Sequence, residues 1–206
     1  MKKDYIKDIE GAERRFISPK MEVRASGDTK EIQGIAAVTN SWTDLGWYEE
    51  MIAPGAFDDV INDDVRALFN HDPNCILARS VNGEGTLKLS IDKSGNLIYS
   101  YKTPNRSYAK DLEDAINSGD VTQSSFAFQV REAKWEFCSS DNGLEKDRRT
   151  ITKFEKLYDV SPVTYPAYQD TTVAARSKEK VNQEKPTSQS TDILRKKLNL
   201  KKKRSC

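Results

Sequence analysis

SSFAFQVREAKWEF, residues 124–137, is the stretch on which the fold turns. Phe126, Phe128 and Val130 fall on one side of an extended chain; Ser125, Ala127 and Gln129 fall on the other. A period of two is that of a strand with one face toward a core. No Pro or Gly interrupts the run, so it reads as one long strand. Downstream, RRTITKFEKLYDVSPV (148–163) is a further long strand or strand pair that ends in the Pro-containing turn SPVTYPAY (161–168).

Upstream, NRSYAKDLEDAINSG (105–119) has the helical period: Tyr108, Leu112, Ala115 and Ile116 make one apolar stripe. Asn105 or Ser107 is expected to cap its start, and Gly119 its end. TLKLSID (86–92) and LIYSYKT (97–103) alternate around KSGN, a hairpin signal. VRALFNH (65–71) is apolar on both faces and reads as an interior strand. GWYEEMIAPGAFDDVIN (46–62) reads as a strand, a Pro-Gly break and a short helix presenting Phe57, Val60 and Ile61. KMEVRAS (20–26) and EIQGIAAVTN (31–40) are strands about the turn GDTK. Many short strands with two helices predict an α+β domain on an antiparallel sheet or barrel.

Hydrophobic residues make up 36% and charged residues 32%, enough apolar material for one core with appendages. The opening MKKDYIKDIEGAERRF is charged and lacks the apolar centre of a secretory signal, and no run approaches a membrane span. Cys75, Cys138 and Cys206 are odd in number and widely spaced, which argues for a reducing setting and against a zinc cage. No metal or cofactor is expected. The net charge of +1 hides an asymmetry: residues 177–206 hold ten Lys/Arg against three Asp/Glu. The expected organisation is a charged, loosely ordered arm (1–19), one domain (20–176), and a polar linker with a basic tail (177–206). Within the tail, DILRKKLNLKKK (192–203) can form a short amphipathic helix. Such a tail suits an acidic protein surface or nucleic acid; a solvated terminus without a role is the plain alternative.

The chain has a single histidine, His71, in FNHDP. It is either a structural residue or a general base, and a base needs a nucleophile to deprotonate and an acid to orient it. Strand alternation separates the two adjacent serines. Ser124 shares the Phe126 face; Ser125 lies with Ala127 and Gln129 on the smaller, more polar face and is the better nucleophile. Pattern alone leaves the other reading open, that both serines simply begin a strand. Asp159, in LYDVSPV, sits among aromatic and branched residues, where an unpaired carboxylate is costly. It can orient an imidazole or initiate the following turn. A thiol hydrolase built on Cys75 or Cys138 has no second histidine to serve it.

Five stretches in order, GIAAVTNSWTDLGWYEEMIAPGAF, DVRALFNHDPNCILARS, GTLKLSIDKSGNLIYSY, SSFAFQV and LYDVSPVTYPAY, resemble the prohead maturation serine proteases of tailed bacteriophages. That family is related in fold to the herpesvirus assembly proteases. The resemblance covers roughly residues 20–175. It implies a β-barrel with peripheral helices and a serine endopeptidase that cuts scaffold and capsid subunits inside the immature shell, in the host cytoplasm. The NHD-type motif puts the base on His71, the SFGF-type motif puts the nucleophile on Ser125, and the acid before VSxVTxPA falls on Asp159, where relatives often carry Glu. Ala78 and Ala127 stand where relatives have Gly; both lie in strand-like runs and are expected to be tolerated if φ is negative there. The stretch Pro162–Ala167 is the expected source of oxyanion donors. By analogy a homodimer is expected, and self-cleavage within the linker. The competing reading is a silent protease-like module that binds scaffold or shell.

Overall fold

A computed structural model of the chain describes residues 9–17, 22–26, 29–138 and 145–165. The linker and basic tail, with the helix expected over 192–203, lie outside the described residues. In chain order the elements are β1 (Ala12–Ile17), β2 (Glu22–Ser26), β3 (Thr29–Ala37), β4 (Thr43–Asp44), β5 (Tyr48–Ile52), β6 (Val65–Leu68), β7 (Ile76–Val81), β8 (Glu84–Gly85), β9 (Leu87–Ile91), β10 (Leu97–Lys102), α1 (Ser107–Ser118), β11 (Gln123–Glu136) and β12 (Asp147–Val163). The two long alternating runs are thus single strands, β11 and β12, and they pair antiparallel along most of their length.

The strands form two sheets. The larger runs β1-β11-β12-β6-β7-β8, with β5 and β4 added alongside the early part of β12. The smaller runs β2-β3-β10-β9. This corrects the expected antiparallel β-barrel: the described strands close no barrel, and β12 pairs in parallel with both β5 and β6. The cause is the length of β12. Its first residues, Asp147–Ile151, take β5, while Asp159 and Val160 lie beside Arg66 and Ala67 of β6 on the same edge. Alternation reports which residues face a core; it carries no information on which strand comes alongside or in which direction.

The expectation of two helices is corrected as well. Residues 54–62 form successive turns, held by bonds such as Ala56 N–H to Ala53 O and Val60 N–H to Phe57 O. Pro54 followed by Gly55, at φ 85°, starts the segment in a conformation no helix continues. Phe57 and Val60 are nevertheless buried, as their spacing implied. Arg106 occupies the N-cap position of α1 and no side chain caps the helix start, so neither Asn105 nor Ser107 fills that role. It ends on Gly119 in the left-handed conformation, as expected.

One core joins both sheets to the helix. It takes Ile32, Leu87, Leu97, Tyr99 and Tyr101 from the smaller sheet, Phe126, Phe128, Phe154 and Leu157 from the larger, and Leu112 and Ile116 from α1. Phe57 stacks on Phe154 at 4.6 Å between ring centres, and Phe126 on Phe128 at 4.7 Å. This aromatic packing fixes the inward faces of β11 and β12, and so fixes which of their residues point the other way.

Candidate active site

The adjacent serines of β11 separate as strand geometry requires. Ser124 Oγ lies 2.9 Å from the hydroxyl of Tyr99, a core residue of β10. Ser125 Oγ instead lies 2.7 Å from His71 Nε2. Register brings up the acid: Ala127 is the cross-strand partner of Asp159, and Ser125 that of Ser161. Asp159 and Ser161 are therefore on the same face of β12 as Ser125 is on β11. Asp159 Oδ1 is 2.6 Å from His71 Nδ1 and accepts a second hydrogen bond, from Ser161 Oγ at 2.7 Å. Among the described residues, Asp159 Oδ2 is buried without a partner. All three residues singled out from the sequence thus meet, from β11, from β12 and from the loop that follows β6.

His71 is not in the strand where the sequence placed it. β6 ends at Leu68, and both Asn70 and His71 have φ of 55°. Two consecutive non-glycine residues in the left-handed region are strained by ~1 kcal/mol or more each and need outside support. The support comes from the end of β12: Asn70 N–H donates to Pro162 O, and Asn70 Oδ1 accepts from the Thr164 N–H and hydroxyl. Ladder pairing of β6 with β12 and these bonds deliver the ring to the gap between Asp159 and Ser125.

The aspartate beside Nδ1 favours the imidazole tautomer with its hydrogen there, which turns the Nε2 lone pair to the serine. A hydroxyl so placed can pass its proton to the ring as the oxygen attacks an electrophile, with the carboxylate facing the imidazolium that forms. The imidazole and carboxylate are almost wholly enclosed, with side chains 6% and 2% exposed. Ser125 itself is 0% exposed, and its Oγ has a further contact, donating to the backbone carbonyl of Arg15 at 2.9 Å.

That carbonyl belongs to β1, part of the arm that the sequence suggested was loosely ordered. β1 pairs with β11, Phe16 opposite Ser125. Its inward side chains enter a buried ionic network. Arg15 makes a forked contact with Glu50 at 2.6 and 2.9 Å, and Glu13 takes two bonds from Arg149, both at 2.9 Å. Burial pushes the Glu13 carboxyl up, but Arg15 and then Arg149 outweigh it and hold it at about 2. Burial pushes the neighbouring Tyr48 hydroxyl up to about 12. No local pattern signals a network whose contacts between strands join residues 35 to 136 positions apart. Ser161, also missed, was legible: it stands two residues after Asp159 in a strand, on the same face.

In the stretch expected to supply oxyanion donors, Pro162 has no N–H and the Thr164 N–H is engaged by Asn70. Residues 166 and 167 lie outside the described residues. Neither Ala78 nor Ala127 has positive φ, so the methyl groups there carry no backbone strain.

The family described as caudovirus prohead serine protease matches residues 19–185. The chain is 28% identical over 159 residues to the prohead protease of Enterobacteria phage HK97, covering 75% of this chain. It spans 64% of that relative's length. No solved structure matches. With the family match running through β2 to β12 and the residues beyond, the chain belongs to the caudovirus prohead serine proteases.

Proposed function

We propose that the protein is a serine endopeptidase of prohead maturation, with Ser125 as nucleophile, His71 as general base and acid, and Asp159 as the group that orients His71. The observation that carries this reading is the continuous chain of contacts from Asp159 Oδ1 through the two ring nitrogens of His71 to Ser125 Oγ, at 2.6 and 2.7 Å. Ser125 attacks the scissile carbonyl carbon while His71 Nε2 takes the hydroxyl proton. His71 then returns that proton to the leaving amine, and a water repeats the cycle on the acyl-enzyme. Asp159 holds Nδ1–H throughout, and Ser161 holds Asp159.

The substrates are the capsid and scaffold subunits of the shell in which the enzyme is enclosed, and the enzyme also cuts its own linker. The domain spans 20–176, and the basic tail draws it to an acidic scaffold surface. Co-expression with the coat protein of the same phage tests this. Wild type shortens the coat protein and Ser125→Ala leaves it at full length; equal shortening by both would refute the assignment.

A further inference from the structure

Ser125 has no exposed surface, yet a nucleophile must meet a peptide. One edge of β11 is taken by β12 from Gln123 to Glu136. The other edge, from Ser124 to Gln129, is taken by β1, which is terminal among the described strands of its sheet. An extended peptide that adds to this sheet beside Ser125 would therefore need the place β1 occupies. We propose that β1 is a built-in pseudosubstrate: it fills the peptide-docking edge of β11 and holds Ser125 in an unreactive hydrogen bond until it is displaced. This rests on the reading of Ser125 as the nucleophile.

Proton accounting explains why the bound state is unreactive. The Ser125 hydroxyl has one hydrogen. In contact with the Arg15 carbonyl, which only accepts, that hydrogen points at β1. That one hydrogen cannot also be given to His71 Nε2, 2.7 Å from Oγ, while Asp159 keeps the ring's own hydrogen on Nδ1. Withdrawal of the Arg15 carbonyl frees the hydroxyl to turn its hydrogen to Nε2, which takes it as Oγ attacks. The carbonyl oxygen, not its carbon, faces Oγ, so β1 blocks without being attacked.

The ionic network suits a strand that leaves. β1 brings Glu13 and Arg15, which contact each other at 2.6 Å. The domain contributes Glu50 and Arg149, which contact each other at 2.9 Å. Separation divides the network into two neutral pairs and strands no single charge in the interior, the outcome that makes breaking most buried ion pairs so unfavourable. While bound, the forked Arg15–Glu50 and Glu13–Arg149 contacts fix the register that puts the Arg15 carbonyl on Ser125.

A reversible lock tests the proposal in the full chain. Ala12 and Gln129 are direct cross-strand partners, within disulfide reach when both are cysteine. In Ala12→Cys/Gln129→Cys, a fluorophosphonate should label Ser125 at least tenfold more slowly in the oxidised form than after reduction, while wild type is indifferent to the reductant. Glu13→Ala/Arg15→Ala should label at least tenfold faster than wild type, and a synthetic peptide of residues 9–20 should slow it again. Equal labelling of the locked and reduced forms overturns the pseudosubstrate and leaves the protease reading intact. Failure of Ser125 to label in any form removes the protease reading and the pseudosubstrate with it.

Discussion

Asp159→Asn is the substitution whose effect follows most directly from the geometry. Asp159 Oδ1 receives two donors, His71 Nδ1 and Ser161 Oγ, and Oδ2 is buried without a partner. An asparagine has two ways to sit there. With its oxygen at the Oδ1 position it keeps both bonds but buries an NH2 with no acceptor, a penalty of ~1–3 kcal/mol. With its nitrogen there, its two N–H groups donate to His71 Nδ1 and to Ser161 Oγ, and the position without a partner holds an oxygen as it does now. The second arrangement wins. It moves the ring hydrogen to Nε2, so His71 can no longer accept the Ser125 proton. The corresponding substitution in another Ser-His-Asp protease lowers turnover on the order of 10⁴-fold, about 5 kcal/mol in barrier. The same drop is expected here in the second-order rate constant for fluorophosphonate labelling of Ser125. The melting temperature should hardly move, since the number of satisfied groups is unchanged. A folded Asp159→Asn protein that labels within tenfold of wild type would refute the tautomer argument.

Ser161→Ala removes one of the two donors to Asp159 Oδ1 and should slow labelling about tenfold, ~1.5 kcal/mol for a hydrogen bond to a charged group; an unchanged rate would leave Ser161 without a positioning role. Ser124→Ala loses only its bond to Tyr99, so it should lower stability by ~1 kcal/mol with labelling nearly intact; loss of labelling in Ser124→Ala but not in Ser125→Ala would reverse the assignment of the two serines. Gly34→Ala places a methyl carbon 2.6 Å from the ring of Tyr99, which is buried and bonded to Ser124, and calorimetry should show a loss of ~1–3 kcal/mol; an unchanged melting temperature would show that Tyr99 moves freely. Glu13 is held at about 2 against an ordinary 4.5, so its contribution is complete above pH 4.5 and is lost as pH falls toward 2. That contribution is on the order of 3 kcal/mol, and Glu13→Gln should flatten the stability-against-pH curve across this window; an acid limb as steep as wild type's would assign the slope to other carboxylates.

Which residues share a face was legible because it depends on neighbours in sequence. Phe126 and Phe128 against Ser125 is a two-residue period, and the aromatic core enforces it. The stripe of α1 and the left-handed Gly119 follow from equally local rules. What the sequence did not disclose is set by distant partners. The parallel pairing of β12 with β5 and β6 depends on which segments return alongside it, and that reversed the barrel expectation. Residues 54–62 have helical spacing of Phe57 and Val60, but Pro54 and Gly55 turn the segment into stacked turns. Likewise, ERRF (13–16) reads locally as solvated charge. Its inward charges, Glu13 and Arg15, meet Glu50 and Arg149 from other strands, and the four together form one ionic network that ties β1 to the sheet.

Mapping the covalent adduct tests the central claim most directly. The full-length chain is incubated to completion with a fluorophosphonate, digested and sequenced by tandem mass spectrometry, beside His71→Ala treated in the same way. One modified residue, Ser125, is expected in wild type and none in His71→Ala. An adduct on Ser124 or another side chain, or equal modification of Ser125 without His71, would contradict it.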